Sequence, residues 1–139
     1  MATGSQERSQ REERLEVVRR AFAAVGAGDV EAQLASFTDD AVLEMPYADP
    51  PARLEGKDVI RARLVPALET FRFTLEITDV HECTDADTLI LEYASDGRVT
   101  TTGRSYRNSY VGIFRFRDDL VCFQREYYNP VPAQKALAG

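Results

Sequence analysis

One carboxylate, Glu126, lies in an alternating run, Leu120–Tyr128, that carries Cys122, Gln124 and Tyr128 at the same parity. A matching run carries Tyr106, Asn108, Tyr110, Gly112, Phe114 and Phe116. Residue-by-residue alternation marks strands with two different faces. Each even-numbered set is apolar beside Asp118-Asp119 and polar-aromatic away from it. A pocket floor has that composition, hydrocarbon at one end and hydrogen-bonding groups at the other. The chemistry available to such a set is proton transfer. A carboxyl group that loses hydration between Phe114, Phe116 and Leu120 should have a raised pKa, which suits a general acid or base. Tyr110 can polarise a carbonyl oxygen, and Asn108 can orient a ligand or hold Glu126. Tyr106, Tyr128, Gln124 and Phe114 complete the expected ligand-binding face, and Tyr93 joins it from the preceding strand. Glu44, in the short run Ala41–Pro46, is a second carboxylate. Two carboxylates on one cavity can divide into an acid and a base.

Whether the two even sets share a face depends on the turn between them. A two-residue turn at Asp118-Asp119 pairs odd positions with even ones. A three-residue loop with a bulge, Asp119 in the left-handed conformation, pairs even with even. The bulged form is the expectation, because the alternative sets Glu126 opposite Val111 and scatters the polar groups. The opposite parity then carries Val111 and Ile113 with Arg107, Arg115 and Arg117 on an outer face. Apolar residues there need a cover, and a homodimer through that face would supply it.

The elements that position these residues follow in chain order. Residues 1–10 are polar and aperiodic, a disordered lead-in by composition. Ser9 with Glu12 fits a capping box, opening a helix that buries Leu15, Val18, Phe22 and Val25. Gly26 and Gly28 stop it. Asp29 can cap a second helix, Val30 to about Phe37. Thr38-Asp39-Asp40 reads as a turn, Ala41–Pro46 as a strand and Tyr47–Glu55 as a loop around Pro50-Pro51. A third helix begins near Asp58, and Pro66 should kink or end it. From Phe71 the period changes to two. Strands follow through Tyr128, with a turn at 84–87 and a Gly/Asp/Thr-rich stretch at 95–102 that is either a loop or a bulged continuation. Residues 11–131 form one domain, and residues 132–139 are a tail or a short helix. Helices first and an antiparallel sheet after them make an α+β plan: a curved sheet packed on N-terminal helices, leaving a cone-shaped cavity.

Composition narrows the function classes. The chain has 139 residues, 44% of them hydrophobic and 29% charged, with a formal charge of −6. The acidic balance argues against a nucleic-acid surface. Cys83 and Cys122 make no disulfide framework and are expected to be buried thiols. His81 has no neighbouring Cys or His to form a zinc site with, and reads as a structural or surface residue. No stretch is long and apolar enough to span a membrane, and no signal-peptide pattern opens the chain, so the cytoplasm is the default address. No metal, nucleotide or flavin motif is present, so any chemistry is expected to need no cofactor.

The order of elements resembles the nuclear transport factor 2-like superfamily of cone-shaped α+β barrels. Thr102-Gly103-Arg104-Ser105-Tyr106, Gly112-Ile113-Phe114 and Arg125-Glu126-Tyr127-Tyr128 are similar to the matching stretches of limonene-1,2-epoxide hydrolase. The ending Arg125–Pro130 resembles the phenazine-biosynthesis PhzA/PhzB proteins and SnoaL-like polyketide cyclases. Asp40–Tyr47 with Leu54–Asp58 is similar to the SnoaL-like group. The resemblance implies that Glu126 stands where the epoxide hydrolase activates water and where the phenazine proteins place an acid/base. Most of the epoxide-opening set is absent: Tyr93 and Ser95 replace its Arg and second Asp, and Val42 and Glu44 replace its Tyr and Asn. Lys57 replaces the phenazine proteins' His. The function implied is acid/base isomerisation, cyclisation or dehydration of a small, mostly apolar molecule such as a polyketide, steroid-like or terpene-like compound. The alternatives are a non-catalytic ligand-binding or dimeric scaffold protein of the same fold, and an epoxide hydrolase.

Overall fold

The alternation that begins at Phe71 resolves into four long strands, β3 (Phe71–Glu82), β4 (Thr88–Val99), β5 (Ser105–Arg117) and β6 (Leu120–Tyr128), each antiparallel to the next. The computed structural model describes residues 4–138. Before these strands come α1 (Gly4–Ala27), α2 (Val30–Leu34), β1 (Phe37–Met45), β2 (Ala52–Glu55) and α3 (Lys57–Thr70), and after them α4 (Pro130–Leu137). The sheet order is β2-β1-β6-β5-β4-β3. The helices pack on one face of this curved sheet, where Val18, Phe22, Leu34 and Ile60 meet Leu89, Leu91, Tyr93 and Phe114 in one apolar cluster. Bulges in β3 and in the β5–β6 ladder sharpen the bend, as an extra residue on one strand does.

The expectation of an antiparallel sheet fails at one seam. β1 runs parallel to β6, with Leu43 opposite Gln124 and Glu44 opposite Arg125. A parallel pair needs a long crossover, and the chain from α3 through β5 supplies it.

The β5–β6 hairpin also departs from expectation in how it turns. Arg117 pairs with Leu120 and Phe116 with Val121, so the turn has two residues, and Asp118, not Asp119, is left-handed at φ 56°. The extra residue is Cys122, which slips the ladder so that Arg115 faces Phe123, Phe114 faces Gln124 and Gly112 faces Glu126. Even then meets even, as expected, by a bulge inside the strand rather than in the turn. Leu120, expected on the inner wall, is exposed, and Val121 takes the buried place.

Element ends show which local forces prevailed. Helix α1 starts at Gly4, upstream of the Ser9 capping box and within the stretch read as a disordered lead-in; residues 1–3 of that stretch lie outside the described residues. The Asp29 carboxylate caps α2 by accepting from the Ala32 amide at 3.0 Å. β1 begins at Phe37 and takes up the presumed turn 38–40, while β2 forms within the presumed loop by pairing with β1. Helix α3 runs through Pro66, which is exposed, to Thr70, because Ile60 and Leu68 remain buried on its inner face. The C-terminal tail is helical, with the Asn129 side chain accepting from the Val131 amide and Pro130 at the tolerated first position. No helix among the described residues is long and apolar enough to cross a membrane.

Arg14 ties the hairpin turns to α1. Its side chain is 3% exposed. Nε and Nη2 donate to the Asp118 carbonyl at 3.0 and 2.8 Å, and Nη1 donates to the Ala86 carbonyl at 3.1 Å. The guanidinium also pairs with Asp87 at 3.0 Å and lies over the Phe116 ring. Carbonyls of two turns and a carboxylate thus depend on one planar fork, a geometry lysine cannot reproduce. Arg14→Met should lower unfolding stability in urea by about 2–4 kcal/mol, since the acceptors are left without donors. Arg14→Lys should lose a smaller amount. A loss under about 0.5 kcal/mol, the scale of an ordinary surface change, would show that the turns hold without it.

Candidate active site

The site is built across three adjacent strands. Tyr93 on β4 and Glu126 on β6 both point to the helix-covered face, and Gly112 on β5 lies between them, opposite Leu91 on one side and Glu126 on the other. Alternate strands stand roughly 9–10 Å apart, a gap that a tyrosine and a glutamate close only if nothing projects from the strand between. A Cβ on Gly112 would fall 2.9 Å from the Tyr93 hydroxyl oxygen and 2.7 Å from Phe114. With no side chain there, the Tyr93 hydroxyl donates to Glu126 Oε1 at 2.5 Å. Gln124, two residues before Glu126 on β6, acts on the same hydroxyl in the sense that opposes the rise of its pKa. The Tyr93 ring is 1% exposed and stacks on Tyr110 at 5.1 Å between centroids.

Burial governs the electrostatics. It pushes the Glu126 carboxyl above the ordinary glutamate value, and the Tyr93 hydrogen bond partly opposes the rise. No ion pair to Glu126 occurs among the described residues. Tyr93 is itself pushed up, first by burial and then by the negative charge of Glu126. The Tyr93 bond occupies Oε1, so Oε2 is the oxygen available to a bound molecule.

A second polar chain runs beside the first. Asn108 Nδ2 donates to the Tyr106 hydroxyl at 3.0 Å, the Tyr106 and Tyr110 hydroxyls lie 2.9 Å apart, and Tyr110 donates to Ser95 Oγ at 2.9 Å. Since Tyr110 gives its proton to Ser95, it accepts from Tyr106, and the chain has one direction. Tyr110 therefore has no proton free for a carbonyl. The Tyr128 hydroxyl does: among the described residues no side chain hydrogen-bonds it. Burial and then the Glu126 charge push its pKa up, while Arg63 nearby acts in the opposite sense.

These groups face a cavity of about 250 Å³. Met45, Leu64, Phe71, Phe73 and Tyr106 form much of its wall, with Tyr128 and Arg63 also on it. A smaller chamber of about 40 Å³ adjoins it among Val18, Phe22, Phe114 and Gln124, and Gln33 and Glu126 border both spaces. The fold thus brings Glu126, Tyr106, Tyr110, Tyr128, Gln124 and Phe114 around one pair of cavities, with Tyr93 behind the wall and bonded to Glu126.

Asn108 and Glu44 are placed differently from expectation. Asn108 binds the Tyr106 hydroxyl and the Asn129 carbonyl, closing the strand ends rather than holding Glu126. Glu44 does not face the cavity. The parallel seam turns Leu43 inward and Glu44 outward, where Arg125 Nε donates to it at 2.7 Å and Arg53 Nη1 at 2.5 Å. Those bonds, that from Arg125 foremost, hold its carboxyl below the ordinary value, so the acid-and-base pairing of Glu44 with Glu126 has no geometric basis. His81 is exposed and contacts Glu92 at 2.7 Å, and both cysteines are free and half-buried rather than fully enclosed. Gly112, Gln33 and Arg63 are site residues that sequence reasoning did not single out. Only Gly112 carried a signal, as a glycine opposite the one inward carboxylate.

Helices packed on one face of a curved sheet, with a carboxylate buried between the layers, define a protein of the nuclear transport factor 2-like superfamily. Within it the chain belongs to the SnoaL-like domain family, which residues 18–123 match. A PhzA/B-like protein of Pseudomonas aeruginosa, itself uncharacterised, is 35% identical over 116 residues, 81% of each chain. A crystal structure from Bacillus subtilis, provisionally named an isomerase, is 29% identical with a TM-score of 0.88, covering 94% of this chain and 96% of that one. An epoxide hydrolase of Mycobacterium tuberculosis, at 18% identity, shares the fold with a TM-score of 0.72 over 91% of this chain and 90% of its own. The family match stops before Glu126, so the case for that residue rests on its own geometry.

The raised pKa of Glu126 has a consequence for stability. Unfolded, the group titrates near 4.5, and folded it titrates higher. Over the interval between, the native state holds a proton that the unfolded state has released. The stability this group contributes is therefore present at pH values below the unfolded pKa and is lost as pH rises through the folded pKa. Glu126→Gln is a neutral isostere and removes that loss. Melting curves from about pH 4 to about pH 8 should show Glu126→Gln gaining on the wild type as pH rises, then levelling. A constant difference, or a trend in the other direction, would mean that burial does not control this carboxyl.

Proposed function

We propose that the protein is a cofactor-independent enzyme that moves a proton on a small, mostly apolar molecule held between helices and sheet. What supports this reading above all is a carboxyl group, Glu126, buried on an apolar cavity with a tyrosine and no cation as its partner. Desolvation of that kind raises proton affinity toward the range where a carboxylate can both take and return a proton. In the proposed reaction Glu126 Oε2 removes a proton from a carbon beside a carbonyl. The electron pair left behind moves onto the carbonyl oxygen, which accepts from the Tyr128 hydroxyl. Return of the proton from Glu126 to a different carbon completes an isomerisation. Delivery to a departing hydroxyl completes a dehydration, and attack of the carbanion on a second carbonyl, with the Glu126 proton passing to the alkoxide so formed, completes a cyclisation. The cavity, at about 250 Å³, is below the roughly 300–1,000 Å³ that drug-sized ligands occupy, which favours one- or two-ring substrates over a four-ring polyketide or steroid. Epoxide opening has less support, because Glu44 lies outside the cavity and no second carboxylate lines it.

Deuterium exchange tests the reading before the substrate is known. Small cyclic enones and hydroxyketones, incubated in heavy water with the protein, should exchange protons beside their carbonyls. Glu126→Gln should slow that exchange by about 10²–10⁴-fold while leaving affinity little changed. Equal exchange by both proteins would remove Glu126 from the chemistry. Binding without exchange by either would make the cavity a ligand-binding module.

The outer sheet face also supports a homodimer. Val111 is 39% exposed and Tyr47 56% exposed, and Tyr47 packs edge-on against Tyr127 beside them. Sedimentation at micromolar concentration should give a dimer, and Val111→Glu should shift it to monomer. A monomeric wild type would refute the pairing.

A further inference from the structure

Helix α2 carries Gln33, whose side-chain oxygen has no hydrogen-bond partner among the described residues although it is buried. An acceptor left in that state forfeits the hydrogen bond it would make to water in the unfolded chain, and native proteins rarely leave one so. The polar side chains around the small inner chamber do not relieve it. The Ser36 hydroxyl donates to the Gln33 main-chain carbonyl at 2.6 Å. No hydrogen bond joins Gln124 to Gln33 among the described residues. Glu126, when ionised, only accepts. Gln33 and Glu126 both line this chamber, and each has one side-chain oxygen without a donor among the described residues. The chamber measures about 40 Å³, more than the roughly 10–15 Å³ that one water requires.

We propose that this chamber is a water site, in which one water donates a hydrogen to Gln33 Oε1 and the other to the Glu126 carboxylate. Two acceptors carried by the wall of one small chamber are what a water, with two donors, satisfies at once. No bond to the water is made or broken. Its role is to stabilise the charged form of Glu126, so that Gln33 acts through it as a positioning residue that limits how far burial raises the proton affinity. Helix α2 is then part of the site: the Asp29 cap fixes the short helix, and the helix fixes Gln33. The significance for turnover rests on the acid/base reading above, but the water site does not.

The test needs no substrate. A crystal structure of the full chain, at a resolution that shows ordered waters, should reveal one water within hydrogen-bond distance of both Gln33 Oε1 and the Glu126 carboxyl. In Gln33→Met, of similar volume but without the amide, that water should be lost. The Glu126 carboxyl, followed by carbon-13 NMR, should then titrate about one pH unit higher, the equivalent of one charge-assisted hydrogen bond. A dry chamber, a direct bond between the Gln33 amide and Glu126, or an unmoved titration would each overturn the proposal. Should Gln33→Met fail to fold, the wild-type density still decides. Failure here leaves the deuterium-exchange result untouched, so the two readings can fall separately.

Discussion

The site depends on a missing side chain. Tyr93 and Glu126 meet across β5 because Gly112 puts nothing between them. That condition binds three strands into one register. β4 must bring Tyr93 beside Tyr110, and β5 must bring Gly112 opposite Glu126. A slip of one residue on β6 would point Arg125 and Tyr127 inward and send Glu126 to the outer face. The bulge at Cys122 prevents that slip, since the two-residue turn alone would pair odd with even. The backbone irregularity is thus what converts an ordinary hairpin into one that carries a buried acid.

Two polar groups hold the sheet at opposite ends. At the turn end, Arg14 binds carbonyls from both hairpin turns and lies against Phe116. At the other end, the directed chain from Asn108 through Tyr106 and Tyr110 to Ser95 ties β5 to β4, and Asn108 ties β5 to the chain after β6. Between them lies the short, partly buried Tyr93–Glu126 bond. An arrangement clamped at both ends fixes the position of the Glu126 carboxyl between them.

Much of this was legible in the chain, and the failures have physical causes. Alternation gave the strands from Phe71 onward, and Asp29 gave the helix cap. The parity of Glu126 was right although the turn argument behind it was not: Asp118 and an interior bulge do what Asp119 and a longer loop were expected to do. Glu44 was misplaced because its face is set by a parallel partner, β6, 81 residues away in sequence, and by an irregularity between Phe37 and Val42. No local pattern in Ala41–Pro46 encodes either. Tyr110 was expected to polarise a carbonyl, but its proton goes to Ser95. The phenol that binds Glu126, Tyr93, lies one strand further away, and only the glycine hinted that this longer reach was open. Arg14 and Gln33 gave no sign, since a charged residue in the middle of a helix and an amide in a five-residue helix are ordinarily solvated.

The separation of Arg125 from Glu126 explains why the buried carboxyl stays titratable. The two are adjacent in sequence, and an arginine beside a carboxylate would hold it ionised and far less basic. Strand alternation puts them on opposite faces instead. Arg125 spends its charge on Glu44 outside, and that pair lowers the Glu44 pKa. Glu126, with only a neutral phenol for company, is shifted the other way. The two glutamates, 44 and 126, thus differ in proton affinity because one strand distributes a single cation to one face only. Arg63, the cation that does line the cavity, acts on Tyr128 and is not among the groups that shift Glu126. The cation on the cavity wall thus bears on the phenol and leaves the raised proton affinity of the carboxyl in place.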